Sequence, residues 1–266
     1  MSHLFAEKTW PELECAARER TVLLLPLGQT EQHGRHLQTG CDSFIAERIA
    51  LAVAENANPD VPTLVLPTIH YGYVPKVVTQ WPGTFRIRWK VMVDYVADVC
   101  ASAVRMGFTK LAIISAHGPH GDVARLAARD VFDRTGVGVV VTQPQTFVNP
   151  TFRKIRKSTM GGAAHACEYE TSLLMYFGYP VDLSGTDASD SVKVCNEWVA
   201  GDMAGSGKVS WSTWDLQTTS SGALGDPTCA SADTGRQCME AIVAEYCRFL
   251  KYFRSVETPV RQAPHE

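Results

Sequence analysis

No Cys-x-x-Cys pair occurs in this chain. Its eight cysteines stand singly, as Cys15, Cys41, Cys100, Cys167, Cys195, Cys229, Cys238 and Cys247. Neither a zinc ribbon nor a redox dithiol is therefore indicated. In a reducing compartment most of these thiols are expected to be free and buried. No apolar run approaches the ~20 residues that cross a bilayer, and the segment from Met1 to Trp10 lacks the apolar core of a secretory signal. A cytoplasmic location is the expectation. No block of like charge occurs and the formal net charge is −3, so neither nucleic acid nor a membrane is an expected partner. The absence of a Gly-x-Ser-x-Gly elbow disfavours a Ser-His-Asp hydrolase. The absence of Gly-x-Gly-x-x-Gly after the first strand disfavours an NAD enzyme. No repeat and no linker interrupt the chain, so residues 1–266 are expected to form one domain.

What is present gathers around one stretch. Thr21 to Leu27 is a continuous apolar run and reads as a buried strand. It breaks into Gly28-Gln29-Thr30-Glu31-Gln32-His33-Gly34-Arg35-His36, with Asp42 shortly after. Glu31 and His33 are two apart, so in an extended backbone both leave on the same face. A carboxylate and an imidazole on one face suit zinc or manganese. The competing reading is a solvated loop with an incidental ion pair. Two later stretches repeat the theme. Lys110 to Ala116 is a second apolar strand that ends in His117-Gly118-Pro119-His120-Gly121-Asp122, and Gly161 to Ser172, which carries His165, Glu168 and Glu170, is a small-residue loop running into a helix. In open α/β sheets, ligands collect outside the carboxyl ends of the strands.

Between these stretches strand and helix alternate. Helices are expected over residues 5–18, 43–54, 89–106, 123–134, 163–177 and 232–253, and further strands over 62–69 and 137–142. The fold class that follows is α/β, a mostly parallel sheet with helices on both faces. Asp42 stands where a helix N-cap would be, a common position for Asp that competes with any ligand role. Asp122 reads as an N-cap. Cys41 and Cys167 precede carboxylates and read either as ligands or as small apolar neighbours of the site. His70 either reaches the site or is a structural imidazole. His120 either supports a ligand or lies on a loop surface. The aromatic, Gly- and Pro-rich loop from Tyr71 to Thr84 is expected to form a pocket wall. The basic run Phe152–Lys157 reads as a solvated face or a seat for an acidic group. In a helix over 163–177, His165 and Glu168 would share a face, with Glu170 pointing elsewhere. Residues 179–233 have little regular signal but contain Trp198, Trp211 and Trp214, which suit an active-site cover or a subunit interface. The tail from Thr258 to Glu266 reads as frayed.

These motifs resemble the creatininase (creatinine amidohydrolase) family. The resemblance rests on Leu25-Pro26-Leu27-Gly28-Gln29-Thr30-Glu31-Gln32-His33-Gly34-Arg35-His36-Leu37 with Asp42, on Ser115-Ala116-His117-Gly118, and on His165-Ala166-Cys167-Glu168-Tyr169-Glu170-Thr171-Ser172. It extends to Tyr71-Gly72-Tyr73, Pro82-Gly83-Thr84 and Gly222-Ala223-Leu224-Gly225-Asp226-Pro227. It implies the three-layer creatininase-like fold and a site for two divalent metal ions. Zinc is the first choice, with manganese or iron as alternatives. By resemblance, Glu31, Asp42 and His117 hold one metal, while His33 and Asp42 share the other. Creatininase itself carries a further carboxylate two residues after the His that matches His117, where this chain has Pro119. Glu168 is the economical substitute. The Trp-Asp pair of creatininase aligns with Gly161-Gly162, and both departures count against creatinine. The expected reaction is hydrolysis of a non-peptide, preferably cyclic, amide in a small molecule by a metal-bridged hydroxide. His165 would donate the proton to the leaving nitrogen, with Glu168 beside it. A formamide deformylase, a small-peptide amidase, a metal-dependent lyase or isomerase, and a metal-stabilised binding protein are the alternatives. The family also implies a homo-oligomer, a hexamer.

Overall fold

The site depends on where β1, Val22–Leu27, ends. All six of its side chains are buried, because helices cover the sheet on both sides. Leu23, Leu25 and Leu27 point into one apolar layer, Val22 and Leu24 into the other. The structure, a computed structural model, describes residues 2–211 and 219–257.

The chain runs through α1 (Trp10–Arg18), β1, α2 (Cys41–Ala57), β2 (Thr63–Val65), α3 (Trp89–Arg105), β3 (Leu111–Ser115), α4 (His120–Thr135) and β4 (Val139–Thr142). It continues through α5 (Pro144–Ile155), β5 (Ala163–His165), α6 (Glu168–Tyr176), β6 (Leu224–Gly225) and α7 (Ala232–Ser255). The main sheet has the order β2-β1-β3-β4, and its three strand pairs are parallel. β5 and β6 form a small antiparallel pair. Side chains of α3 and α4 pack on the Leu23/Leu25/Leu27 side, and those of α2, α6 and α7 on the Val22/Leu24 side. This is the expected α/β architecture of three layers.

Two local expectations are corrected, and one helix was not expected. The buried strand expected over 137–142 is a half-buried edge strand, because β4 has only one neighbour. The single helix expected over 163–177 is broken: Ala163–His165 pair with β6, and Ala166 turns the chain at φ 50° before α6 starts at Glu168. Helix α5 has no counterpart in the sequence reading. It contains Pro150, which normally argues against a helix interior, and it is held by the buried Val148 and Phe152.

Gly28 decides how close α2 comes to the end of β1. A Cβ there would lie 2.3 Å from Ser43 Cα. Gly28→Ala is therefore expected to push the first turn of α2 outward and to destabilise the fold by about 1–3 kcal/mol, the usual cost of overpacking. Chemical denaturation would check this; an unchanged midpoint would mean the helix yields freely.

Candidate metal centre

The sheet order makes β1 and β3 the neighbours from which the chain departs in opposite directions, the crevice where open α/β sheets bind ligands. Glu31 and His33 follow β1, and His117 follows β3. Asp42 is the second residue of α2, and the N-cap is Gly40, without a side-chain cap bond. The N-cap reading of Asp42 is thus replaced by a carboxylate facing the crevice. His165 ends β5, and Glu170 lies in the first turn of α6.

These six side chains converge. His33 Nε2 is 3.4 Å from Asp42 Oδ1. His117 Nδ1 is 3.1 Å from Asp42 Oδ2 and 3.2 Å from Glu31 Oε1. His165 Nδ1 is 3.6 Å from Glu31 Oε1. Three trios have ligand atoms within 4.8 Å of one another: Glu31–Asp42–His117, His33–Asp42–Glu170 and Glu31–His33–His165. Asp42 belongs to two of them, and its two oxygens face different histidines.

Backbone carbonyls orient two of the rings. His33 Nδ1 lies 3.1 Å from its Glu31 carbonyl acceptor, which leaves Nε2 as the inward lone pair. His165 Nε2 lies 2.9 Å from the Gln32 carbonyl and 3.2 Å from the Gln32 amide nitrogen, and Nδ1 is the ring nitrogen turned toward Glu31. An imidazole whose outer N–H is tied to a carbonyl is the usual arrangement of a metal-binding histidine.

The donor set fits divalent cations. Glu31 Oε2, His33 Nε2 and Asp42 Oδ2 are buried and form no hydrogen bond. Three carboxylates, Glu31, Asp42 and Glu170, are buried together, and such a group is costly without positive charge. The electrostatics run the same way. Burial pulls the His117 imidazole down, but Glu31 and Asp42 outweigh it and hold it at about 10. Burial also opposes charge on His33, yet Cys41 and Asp42 raise it well above the ordinary value. Burial pushes Asp42 up, and His33 and His117 more than reverse this, leaving it well below the usual carboxylate range. His165 falls to about 4, by burial first and then by His33. Burial is the main cause that lifts Glu170 to about 7. At His33 and His117, where the carboxylates favour a bound proton, cations compete for the same lone pairs.

Glu168 does not join the cluster. Its carboxylate accepts from Lys157 N at 2.9 and 3.2 Å and from Ser158 N at 2.9 Å, so it ties the loop before β5 to α6. The residue brought to the cluster is Glu170. The expected His165–Glu168 pairing fails because those residues do not share a helix. A Glu at the start of a helix after a turn carries no periodic signal, so sequence spacing did not single out Glu170.

The remaining expectations sort by burial. His36 is buried, and its Nε2 is 3.0 Å from Thr171 Oγ1. His70 is exposed, and only its carbonyl is engaged, accepting from Thr30 Oγ1. His120 is fully buried, edge-on to the His117 ring at 4.5 Å. It is not a loop surface residue. Asp122 is not an N-cap: α4 begins two residues earlier, with Pro119 as N-cap, and Asp122 pairs with Arg125. Cys41 and Cys167 are free and buried; burial lifts the Cys41 thiol to about 12. The basic run is not a solvated face throughout. Arg153 Nε donates to Ala204 O, and Arg156 makes a two-pronged pair with Asp202 at 2.8 and 2.9 Å.

A cavity of about 480 Å³ opens beside the cluster, with Asp42, His117, His165 and Glu170 in its wall. The loop from Tyr71 to Thr84 does not line it; instead Thr84 Oγ1 accepts from Gln32 N at 3.1 Å and braces the first motif. Its cover comes from the long irregular segment: Val192, Val194, Val199, Met203 and Trp211. Asp202 fastens that cover, also accepting from Gly161 N and Ala163 N. Trp198 is exposed; Trp214 and the tail from Thr258 lie outside the described residues.

The sequence profile of the family described as creatininase, creatinine amidohydrolase, matches residues 6–250. The chain belongs to the creatininase family. It is 30% identical over 114 residues to the 3-dehydro-scyllo-inosose hydrolase of Thermotoga maritima and 30% identical over 116 residues to the creatinine amidohydrolase of Pseudomonas putida. Those matches cover 43% and 42% of this chain but only 35% and 43% of the relatives, less than half the length of either. The mycofactocin precursor peptide peptidase of Mycobacterium ulcerans is 26% identical over 88% of this chain and 82% of its own. Among solved structures, creatininase Mn has a TM-score of 0.80 at 22% identity, covering 95% of this chain and 98% of its own. A creatininase variant of Zn-Zn type has a TM-score of 0.78 at 21% identity, covering the same shares. At these identities the structural likeness is one of fold. Among the described residues no helix is long and apolar enough to cross a membrane.

Proposed function

We propose that this protein is a metal-dependent amidohydrolase that adds water across a non-peptide amide of a small molecule, with a cyclic amide as the preferred substrate. The observation that carries the reading is Asp42: its two oxygens face His33 and His117 at the base of the cavity. Glu31, Asp42 and His117 would hold one divalent ion, and His33, Asp42 and Glu170 a second, so that Glu170 takes the place expected of Glu168. Zinc or manganese is the ion of choice, as in the related creatininases, and mixed N/O donors suit both. Bound ions of this kind polarise a carbonyl and make water nucleophilic near neutral pH.

The protein's own groups supply the rest. His165 is held by the Gln32 carbonyl, with Nδ1 directed inward. Being neutral at rest, Nδ1 can take a proton from water and hand it to the leaving nitrogen. The cover over the cavity limits bulk water during the reaction. The products are a carboxylate and an amine, joined in one molecule when the amide is cyclic. Cleavage of a short peptide is the second reading, favoured by the peptidase relative that matches over 82% of its length.

Elemental analysis of the purified protein, followed by a screen of lactams, formamides and short peptides in H₂¹⁸O, tests both. About two ions per chain with ¹⁸O in an opened lactam supports the proposal. Cleaved peptides with untouched lactams favour the second reading. Protein that takes up no metal, or product formed without solvent oxygen, overturns hydrolysis.

A further inference from the structure

One wall of the cavity is chemically unlike the others. Helix α5 contributes Gln145 and Asn149, both of which line it. They are four residues apart and so lie on one face of the helix, about 5–6 Å from each other. Each amide group is tied by its nitrogen. Gln145 Nε2 donates to Ala116 O at 2.7 Å, directly before His117, and Asn149 Nδ2 donates to Met203 O at 2.7 Å, in the cover. A backbone carbonyl accepts and never donates, so each NH₂ must face it and each side-chain orientation is fixed. The other end of each amide is a carbonyl oxygen. Gln145 Oε1 and Asn149 Oδ1 are both buried and accept no hydrogen bond. Buried acceptors left unpaired are uncommon and call for a partner. Val192, Val194 and Trp211 add apolar lining to the same cavity. No lysine or arginine occurs among the described residues that line the cavity, while Asp42 and Glu170 do.

We propose that Gln145 and Asn149 are specificity-determining residues that select, through these two oxygens, a flat uncharged substrate with N–H or O–H donors along one edge and an apolar face toward the cover. The inference rests on the metal-dependent amidohydrolase reading and adds the chemical class of the substrate. An acidic substituent on that edge would bring its negative charge against two acceptor oxygens that cannot donate to it. An aliphatic edge would leave both oxygens unpaired. Sites built to hydrogen-bond a donor reject analogues that lack it far more strongly than apolar pockets reject an extra group.

The test uses the zinc-loaded full chain and four hydroxamic acids that share one metal-binding head: acetohydroxamic acid, and benzohydroxamic acid carrying 3,5-dihydroxy, 3,5-dimethoxy or 3-carboxy groups. Affinities are read by titration calorimetry. The dihydroxy compound is expected to bind roughly 10-fold or more tighter than the dimethoxy compound, since each orphan oxygen gains a donor, and the carboxy compound is expected to bind weakest. In Asn149→Leu and Gln145→Leu the dihydroxy advantage, read as the ratio of the dihydroxy and dimethoxy affinities within each variant, should shrink. Equal or reversed affinities of the dihydroxy and dimethoxy compounds for the wild type would overturn the inference, and this comparison needs no variant to fold. An advantage that survives in both variants would overturn it as well. Failure of acetohydroxamic acid itself to bind would remove the metal reading and this inference with it.

Discussion

Asp42→Asn is expected to lower bound metal from about two ions per chain to fewer than one and to reduce kcat/KM by roughly 10³-fold. Asparagine keeps the volume and one acceptor oxygen, so packing in the first turn of α2 is undisturbed. What it loses is the negative charge and the second oxygen. In the wild type, Oδ1 faces His33 Nε2 at 3.4 Å and Oδ2 faces His117 Nδ1 at 3.1 Å. A carboxylate shared in this way offsets the repulsion between two neighbouring cations; a neutral amide offers one of them a nitrogen instead. Both ions should therefore weaken together, which distinguishes Asp42 from a ligand serving a single ion. Elemental analysis after dialysis, run beside steady-state kinetics, reads both effects. His165→Ala is the control, expected to keep its metal and lose turnover, because its Nδ1 moves a proton in the proposed reaction. Full metal and activity in Asp42→Asn would refute the shared role, and loss of metal in His165→Ala would make that imidazole a ligand.

The sequence was informative where chemistry and strand geometry coincide. Glu31 and His33 are two apart after a strand, and His117 directly follows another, so the parallel sheet brings them together without any long-range knowledge. The first motif also contains its own packing rule, since Gly28 lets Ser43 approach to a distance that a Cβ would forbid. Legibility failed where the backbone changes course for tertiary reasons. Ala166, buried and with φ at 50°, converts an expected helix into a strand and a turn. That rotates the carboxylates downstream, so Glu170 faces inward and Glu168 faces the backbone of Lys157 and Ser158. Helix α5 was hidden by Pro150, whose helix-breaking tendency is overridden by Val148 and Phe152 in the core. The cover over residues 192–211 has no periodicity to read. It is tied down by long-range bonds, among them those of the buried carboxylate Asp202 to Arg156 and to two backbone N–H groups across the site.

The two carboxylates of the third motif should respond to substitution in opposite ways, and the contrast is sharper than either variant alone. Glu170→Gln removes a charge from the trio it forms with His33 and Asp42. It is expected to lose metal and to reduce turnover by roughly 10²–10³-fold. Its thermal stability without metal should hold or rise, because burial already raises the Glu170 carboxyl to about 7 and a neutral side chain removes that cost. Glu168→Gln should do the reverse. Its carboxylate accepts from two backbone N–H groups, and an amide oxygen can replace only part of that charge-assisted bonding. A loss of about 2–3 kcal/mol in unfolding free energy follows from hydrogen bonds to a charged group, with metal content and kcat close to wild type in the folded fraction. Denaturation of the metal-free proteins separates the two effects, since stability then carries no contribution from ligand binding. If Glu168→Gln lost metal while Glu170→Gln kept it, the inward orientation of Glu170 would be wrong, and the His-x-x-Glu spacing would after all define the ligand.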